Sequence, residues 1–177
     1  MPSGRTHDAI TFLLAAPIAA GAYGVSRNLS MSAVVAAAFV FGGLMFGPDL
    51  DTVSRQYSRW SVLRFLWFPY RSFFRHRSRF SHGLIFGALI RVVYFLGAAS
   101  LVALAGSYIY ASYRGGRMPA ATDLANTWQA VGQFTRSAFG EHFLLLVFLG
   151  LWFGAASHTF TDMAGSFVKT GRVGEFL

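Results

Sequence analysis

The chain has 177 residues, of which 54% are hydrophobic, 17% are aromatic and only 12% are charged. Soluble domains carry about 25% charged residues, so this composition excludes an ordinary soluble protein and predicts a single all-α membrane domain. The absence of cysteine excludes disulfides, zinc–thiolate sites and thiol chemistry. The net charge of +8 comes without a nucleic-acid-binding motif, and we expect anionic lipid headgroups rather than nucleic acid as its partner.

Four apolar stretches predict an integral-membrane bundle of about four transmembrane helices, at about residues 9–25, 30–48, 83–105 and 140–160. A transmembrane helix needs about 20 apolar residues, with a range of roughly 17 to 25. The third stretch meets this length easily and the first just meets it. The second and fourth reach it only with their flanking polar residues, so we expect their ends to lie at the membrane–water interface.

Two longer connections join these spans. Residues 52–81 mix arginines with aromatic side chains, which predicts a helical segment lying flat at the interface and broken at Pro69. An ordinary loop whose aromatics pack on the spans is the alternative. The polar connection 106–140 is predicted to hold a short helix near residues 124–134, and we find no chemistry in it.

Polar residues gather in four short clusters beside the spans, which hold four of the seven acids and four of the five histidines. The clusters are His7–Asp8, Gly47–Asp51, His76–His82 and Ser157–Asp162. Because successive spans alternate in direction, all four clusters should emerge on one side of the membrane. Ten Lys and Arg residues lie on that side against four on the other, and short loops rich in these residues stay in the cytoplasm. The clusters should therefore face the cytoplasm.

The last cluster has the spacing of two ligands on one helix. His158 and Asp162 are four residues apart and thus lie on the same helical face. Gly154 and Gly150 continue this stripe backwards, and glycines four residues apart let membrane helices pack closely. The face that approaches a neighbouring helix should therefore become the ligating face at its end.

The second cluster repeats this pattern, since Gly43, Gly47 and Asp51 are also spaced by four. Pro48 is expected to end the regular helix there. Two carboxylates as close as Asp49 and Asp51 repel each other unless a proton or cation neutralises them. An isolated pair of this kind is more often a helix cap or a solvated turn, but the neighbouring histidines favour a metal site.

These observations predict a site for one or two divalent metal ions. Histidine and aspartate without cysteine suit zinc, manganese, iron or magnesium. Seven candidates exceed one tetrahedral site, which indicates either two ions or one ion with further orienting residues. The candidate ligands are His7, Asp49, Asp51, His76, His82, His158 and Asp162.

Two other charged or titratable residues need an interpretation. His142 lies outside the clusters and is interpreted as an ordinary interfacial residue. Arg91 lies within the third span, where no acid is available to pair with it. A backbone carbonyl, a lipid phosphate and another subunit are all open as its partner.

The order of the motifs resembles a group of small bacterial membrane proteins described as metal-binding proteins or membrane-bound metal-dependent hydrolases. The LexA-regulated inner-membrane hydrolase family is a relative. The shared pattern is an N-terminal His, Pro-Asp-x-Asp, two histidines around a basic segment, and Ser-His-x-x-x-Asp. In this chain these are His7, Pro48–Asp51, His76–His82 and Ser157–Asp162. The His76–His82 spacing is longer by one residue than in the relative, and the sequences around His7 and Asp49 resemble a cyanobacterial branch.

The resemblance implies a metal-dependent hydrolase in a bacterial inner membrane or thylakoid membrane. Its substrate would be a phosphoester or lipid headgroup at the cytoplasmic interface, with a metal-bound water as nucleophile and the arginine-rich loop as a phosphate contact. That loop is equally well explained as topology-setting charge. The alternative function is a non-catalytic subunit of a membrane complex, in which the metal ties helix ends together. A metal transporter is less expected, because the ligands lie at one end of the spans.

Overall fold

The structure is a computed structural model that describes residues 3–74 and 78–171. It confirms an all-α fold. The helices are α1 (Gly4–Ser26), α2 (Leu29–Met45), α3 (Arg55–Arg59), α4 (Phe68–Phe73), α5 (Arg79–His82), α6 (Phe86–Arg114), α7 (Ala121–Phe139) and α8 (Phe143–Thr170), with 3₁₀ turns at Pro48–Asp51 and Ser61–Trp67.

Short polar residues fix where the first helices begin. The side chain of Ser3 accepts a hydrogen bond from Thr6 N at the start of α1, and Asn28 accepts one from Met31 N at the start of α2. Such caps satisfy backbone N–H groups that have no partner within the helix. Only two residues separate α1 from α2, so the two helices turn back on each other and pack side by side.

Within residues 3–74 and 78–171, three helices are long and apolar enough to cross a membrane, namely α1, α6 and α8. Helix α2 has 17 residues, which gives a length of about 25 Å, short of the roughly 30 Å hydrocarbon core. Helix α8 does not end near residue 160 but runs to Thr170. His158 and Asp162 therefore lie within a continuous helix rather than just beyond its end.

Glycines bring α2 and α8 into backbone contact, as their spacing predicts. A Cβ atom added to Gly154 would lie 2.0 Å from Phe39 O, and one added to Gly42 would lie 2.3 Å from Leu151 O. A Cβ on Gly43 would lie 2.5 Å from Thr11 Cγ2 of α1. No residue larger than glycine fits at these positions without moving a helix, so the glycines set the spacing of α1, α2 and α8.

The aromatic connection is only partly on the surface. Trp60, Trp67 and Tyr70 are buried in a cluster with Phe46, where aromatic rings meet mainly edge to face. This favours the alternative in which these aromatics pack on the helices, because their large apolar rings gain more from burial than from the interface. The same segment exposes Phe65, Phe68 and Phe73.

Two boundaries in this part of the chain differ slightly from the predicted ones. The 3₁₀ turn Ser61–Trp67 is followed directly by α4, and Pro69 stands in the first turn of α4, where its missing N–H costs nothing. The third long helix begins at Phe86, three residues after the predicted start of the span, and follows the short helix α5.

The polar connection 106–140 is mostly helical. Helix α6 continues to Arg114, and α7 extends from Ala121 to Phe139, well beyond the short helix predicted at 124–134. The carboxylate of Asp123 accepts a hydrogen bond from Ala120 N at the start of α7. This local cap and an amphipathic sequence suffice for a full-length helix despite its polar composition.

Candidate metal centre

Three of the predicted ligands meet between α1 and α8. His7 projects from the second turn of α1, and His158 and Asp162 project from one face of α8. His7, His158 and Asp162 each offer one ligand atom, and these atoms lie within 4.8 Å of one another. The three residues are at most 5% exposed, so the site is shielded from solvent.

The two imidazoles and the carboxylate form a compact arrangement. His7 Nε2 lies 3.2 Å from Asp162 Oδ1, and His158 Nδ1 lies 3.5 Å from Asp162 Oδ2. The rings of His7 and His158 are stacked, with centroids 3.6 Å apart and planes inclined by 5°. The carboxylate thus faces both rings, as expected if all three side chains coordinate one ion.

The donor atoms have the properties that a bound cation would explain. Within the described part of the chain, His7 Nδ1, His158 Nδ1 and Asp162 Oδ1 are buried and make no hydrogen bond of regular geometry, although the last two lie 3.5 Å and 3.2 Å from their partners within the group. Buried polar atoms are nearly always hydrogen-bonded, and the exceptions often mark an ion or a functional group. Two histidines and a carboxylate suit zinc or iron and leave further coordination positions open. The residues present therefore fit a divalent metal.

A second group of predicted ligands surrounds His82. Its Nδ1 lies 3.6 Å from Asp51 Oδ2 and its Nε2 lies 3.9 Å from Asp49 Oδ1. Asp51 and His82 are buried, whereas the Asp49 side chain is 38% exposed. Ser81 Oγ lies 2.9 Å from His82 Nδ1 and helps to orient the ring. The second group therefore reaches the surface at Asp49.

The two groups adjoin each other at one end of the molecule. The 3₁₀ turn that carries Asp49 and Asp51 packs against α8, and Asp49 attracts His158 electrostatically. The structure thus places six of the seven predicted ligands in two groups of three. Within the part of the chain that it describes, only His7, His158 and Asp162 form a group whose ligand atoms all lie within 4.8 Å of one another. The seventh, His76, lies outside the described residues.

Arg91 holds the backbone around the second group, and its partners are backbone carbonyls. This fully buried side chain donates from Nε to Phe46 O at 2.6 Å and from Nη1 to Ser81 O. Phe46 ends α2 just before Asp49, and Ser81 precedes His82. Arg91 therefore fixes the spacing between two chain segments that carry candidate ligands.

Tyr70 completes the surroundings of Arg91. The guanidinium and the phenol are close enough to influence each other electrostatically, and Asp51 adds a further electrostatic interaction. Burial raises the pKa of the Tyr70 hydroxyl, so this phenol stays neutral at physiological pH. The sequence singled out Arg91 as an unpaired charge but gave no sign of Tyr70, because an aromatic residue in an aromatic-rich loop carries no distinguishing pattern.

Asp8 belongs to a cluster but not to the site. Its Oδ2 pairs with Arg59 Nη2 at 2.5 Å and with Arg55 Nη1 at 3.2 Å. Adjacent residues on an α-helix point in directions about 100° apart, so Asp8 cannot share the face of His7. Its pairing instead anchors α3 to α1 beside the site.

Comparison with known proteins agrees with the metal chemistry of this geometry. An uncharacterized protein of Aquifex aeolicus (strain VF5) is 39% identical over 57 residues, which span 32% of this chain and 40% of the relative. No solved structure matches the chain. The family described as "Uncharacterized metal-binding protein (DUF2227)" matches residues 2–172. This match covers nearly the whole sequence and contains every residue of the candidate site, and the chain therefore belongs to this family of metal-binding proteins.

Proposed function

We propose that the protein is a membrane-embedded metal-dependent hydrolase whose substrate is a phosphoester, such as a lipid headgroup, at the cytoplasmic interface. The observation that carries the proposal is the buried His7–His158–Asp162 group beside a second acid–histidine group that opens to the surface at Asp49. A buried set of ligands next to an exposed carboxylate is the arrangement expected when a substrate approaches a bound ion from one side.

Each residue of the site has a distinct proposed role. His7, His158 and Asp162 hold the ion, which is zinc, manganese, iron or magnesium and supplies Lewis-acid polarisation of a phosphoryl oxygen when bound. Asp51 and His82 orient the exposed carboxylate of Asp49 or, with it, hold a second ion. Asp49 is placed to accept a proton from an attacking water, because it is the most exposed acid of the two groups.

The surface around the site supports a negatively charged, partly apolar substrate. Arg64 and Arg71 lie on the same connection as the exposed Leu63, Phe65 and Phe68. Cations beside apolar side chains suit a phosphate attached to acyl chains. The location proposed for this site is the cytoplasmic face of a bacterial inner membrane or thylakoid membrane, with anionic lipids and no nucleic acid as partners. The relation to the LexA-regulated hydrolases and the cyanobacterial branch stays a prediction.

One observation favours a second function, that of a non-catalytic subunit of a membrane complex stabilised by its metal. All three residues of the first group are buried, and together they join α1 to α8. A metal ion that joins two helices in this way contributes directly to folding, as structural metal ions do. In that case the exposed aromatic side chains of residues 61–73 would contact other subunits rather than substrate.

Metal content is the first test. The full chain, purified in mild detergent, is dialysed and analysed by elemental mass spectrometry beside the variants His158→Gln and Asp162→Asn. We expect stoichiometric metal in the wild type and strong loss in both variants. The matched controls are His142→Gln and Asp123→Asn, which change the same residue types at exposed positions far from the site. Wild-type protein without metal, or equal loss in controls and site variants, would contradict the proposal.

Catalysis is tested separately on the metal-loaded protein. Hydrolysis of bis(p-nitrophenyl) phosphate and release of headgroups from phosphatidylglycerol vesicles are measured with wild type, Asp49→Asn and the two controls. We expect turnover that depends on the metal and falls at least about tenfold in Asp49→Asn, in which the proposed proton acceptor is lost while the ion is retained. Bound metal without any turnover, together with a lower melting temperature after metal removal, would favour the structural function.

A further inference from the structure

A cavity of about 550 Å³ lies between α1, α2 and α8, at the end of these helices away from the metal centre. His7 and the cavity-lining Gly21 are fourteen residues apart on α1, which places them about 21 Å apart along the helix. The volume falls within the roughly 300–1,000 Å³ of typical small-molecule pockets. The cavity is therefore large enough for a ligand and separate from the metal site.

The cavity is polar at one end only. Among the described residues that line it, Ser26 and His142 are the polar ones, and the remaining walls are apolar, with Leu145, Leu149 and Phe153 along α8. Ser26 is the last residue of α1, and His142 immediately precedes α8. The polar side chains thus stand at the helix ends, and the apolar walls extend from there towards the middle of the helices.

The charge at the polar end fits an anion. Arg27 follows Ser26 directly and is exposed. Glu141 directly precedes His142, and the backbone carbonyl of Arg136 accepts a hydrogen bond from Gly140 N just before them. The charged residues next to the two polar rim residues are therefore Arg27 and Arg136 against Glu141. A negatively charged group at the mouth of the cavity would therefore meet net positive charge.

We propose that this cavity holds an acyl chain of one anionic phospholipid, whose phosphate lies beside Arg27 and His142. A ligand that is apolar along most of its length and anionic at one end matches the walls, the polar rim and the charge together. The site would lie in the leaflet opposite the metal centre, so the bound lipid is not the substrate. This inference rests on the membrane embedding included in the proposed function, but not on hydrolysis.

Two glycines of α1 provide a matched test. Gly21 lines the cavity, whereas Gly24, one turn later, does not. A Cβ atom added at either position meets no atom within 4 Å, so larger side chains are tolerated by the backbone at both. Gly21→Phe should fill the cavity, and Gly24→Phe should leave it open.

The experiment measures lipid retained by the purified full chain. Wild type and both glycine variants are analysed by native mass spectrometry after incubation with palmitoyl-oleoyl phosphatidylglycerol or phosphatidylcholine. We expect one retained phosphatidylglycerol in wild type and Gly24→Phe, and its loss in Gly21→Phe. Arg27→Asn, which suits the left-handed backbone at this position (φ 51°), should lower the preference for phosphatidylglycerol about fivefold. If Gly21→Phe does not fold, Arg27→Asn still tests the lipid site.

The same samples separate failure of this inference from failure of the proposed function. Metal content should be unchanged in Gly21→Phe, because the cavity and the metal centre do not share residues. Equal lipid retention in the two glycine variants, or none in wild type, would overturn the lipid site while leaving the metal site untouched. A dimer in wild type that becomes monomeric only in Gly21→Phe would also overturn it, by showing that a second copy of the chain covers the cavity.

Discussion

The metal end of the helices and the α6–α7 arm, residues 93–139, differ in where they place polar and apolar side chains. The metal end buries polar side chains, and the arm exposes apolar ones. At the metal end Asp51, His82, Arg91, His158 and Asp162 are all at most 7% exposed. In the arm Leu101, Ile109 and Tyr113 are 66%, 71% and 87% exposed. Apolar side chains on the outside are what a lipid environment permits, whereas buried charges require partners. The comparison indicates that polar contacts, close glycine packing and the aromatic cluster around Phe46 together hold the metal end, whereas the arm has little buried surface of either kind.

The largest expected effect tests the buried arginine against an exposed one of the same helix. Arg91→Met removes the donors to Phe46 O and Ser81 O and should lower the free energy of unfolding by about 2–5 kcal/mol, because each buried carbonyl left without a donor costs about 1–3 kcal/mol. Arg114→Met, at the arm end of α6, should change it by less than about 0.5 kcal/mol. Denaturant unfolding in mixed micelles measures both. If both variants lost the same free energy of unfolding, the proposed difference between the metal end and the arm would be wrong.

Removal of the metal should weaken one region only. A chelator is expected to lower the free energy of unfolding by about 2.7 kcal/mol, relative to free metal at a hundred times its dissociation constant. Hydrogen exchange should rise in α1 and α8, which carry His7, His158 and Asp162, and stay constant in α7. Asp162→Asn should unfold like the metal-free protein and no longer respond to the chelator. A rise in exchange that is as large in α7 would contradict the comparison.

A single methyl group should distinguish close helix packing from open surface. Gly154→Ala places a Cβ atom 2.0 Å from Phe39 O and should cost about 1–3 kcal/mol of stability, because α2 and α8 must separate. Gly97→Ala on α6 meets no atom within 4 Å and should be neutral or stabilise by up to about 1 kcal/mol. Thermal denaturation with a parallel metal assay checks both. If Gly154→Ala were as stable as Gly97→Ala, the glycine contact would not hold the two helices together.

The smallest effects should come from Asp8 and Asp123, which pair with arginines outside the metal groups. Asp8→Asn breaks the contacts with Arg55 and Arg59 and should cost about 1 kcal/mol, an effect that salt reduces. Asp123→Asn should change stability very little, since Asp123 and Arg117 are largely open to solvent and asparagine retains the cap of α7. Salt-dependent melting curves of both variants provide the measurement. A larger loss in Asp123→Asn would reverse this order.

The pKa of Asp123 predicts how the stability of the arm should change when the pH is lowered. A hydrogen bond from Ala120 N and the charge of Arg117 lower the pKa of Asp123 below its ordinary value. The stability that it contributes is therefore present above the unfolded-state pKa and is lost as the pH falls through the lower folded-state value. Because this window lies well below neutrality, the arm should be insensitive to pH between 6 and 8, as amide exchange in α7 can verify.

The sequence was sufficient for the features that depend on spacing along one helix. The four-residue intervals of Gly150, Gly154, His158 and Asp162 predicted a close approach to a neighbouring helix and a shared ligating face, and the structure identifies that neighbour as α2. The grouping of the polar clusters at one end followed from counting apolar spans. The stripe follows from the 3.6-residue helical repeat, and the common end follows from the alternating direction of successive helices. Neither prediction requires knowledge of tertiary contacts.

What the sequence could not provide depends on contacts between distant segments. Trp67 and Tyr70 read as interfacial aromatics, yet they are fully buried against Phe46, since the same composition suits a membrane surface and a packed core. The partners of Arg91 are backbone carbonyls, which every residue possesses and which therefore leave no mark in a sequence. Helix α7 was underestimated because its overall composition is polar, although its amphipathic repeat is present in the sequence.

The three buried ligands lie at opposite ends of the sequence, which matters for how the protein is synthesised. One ligand is on α1, and the other two are on α8, with more than 150 positions of chain between His7 and Asp162. During translation the first imidazole is therefore made long before its two companions exist. The ion cannot find its full set of ligands until α8 has been synthesised and has docked against α1. Metal occupancy would thus mark the completion of folding, and a stalled or misinserted chain would be recognisable by the absence of metal.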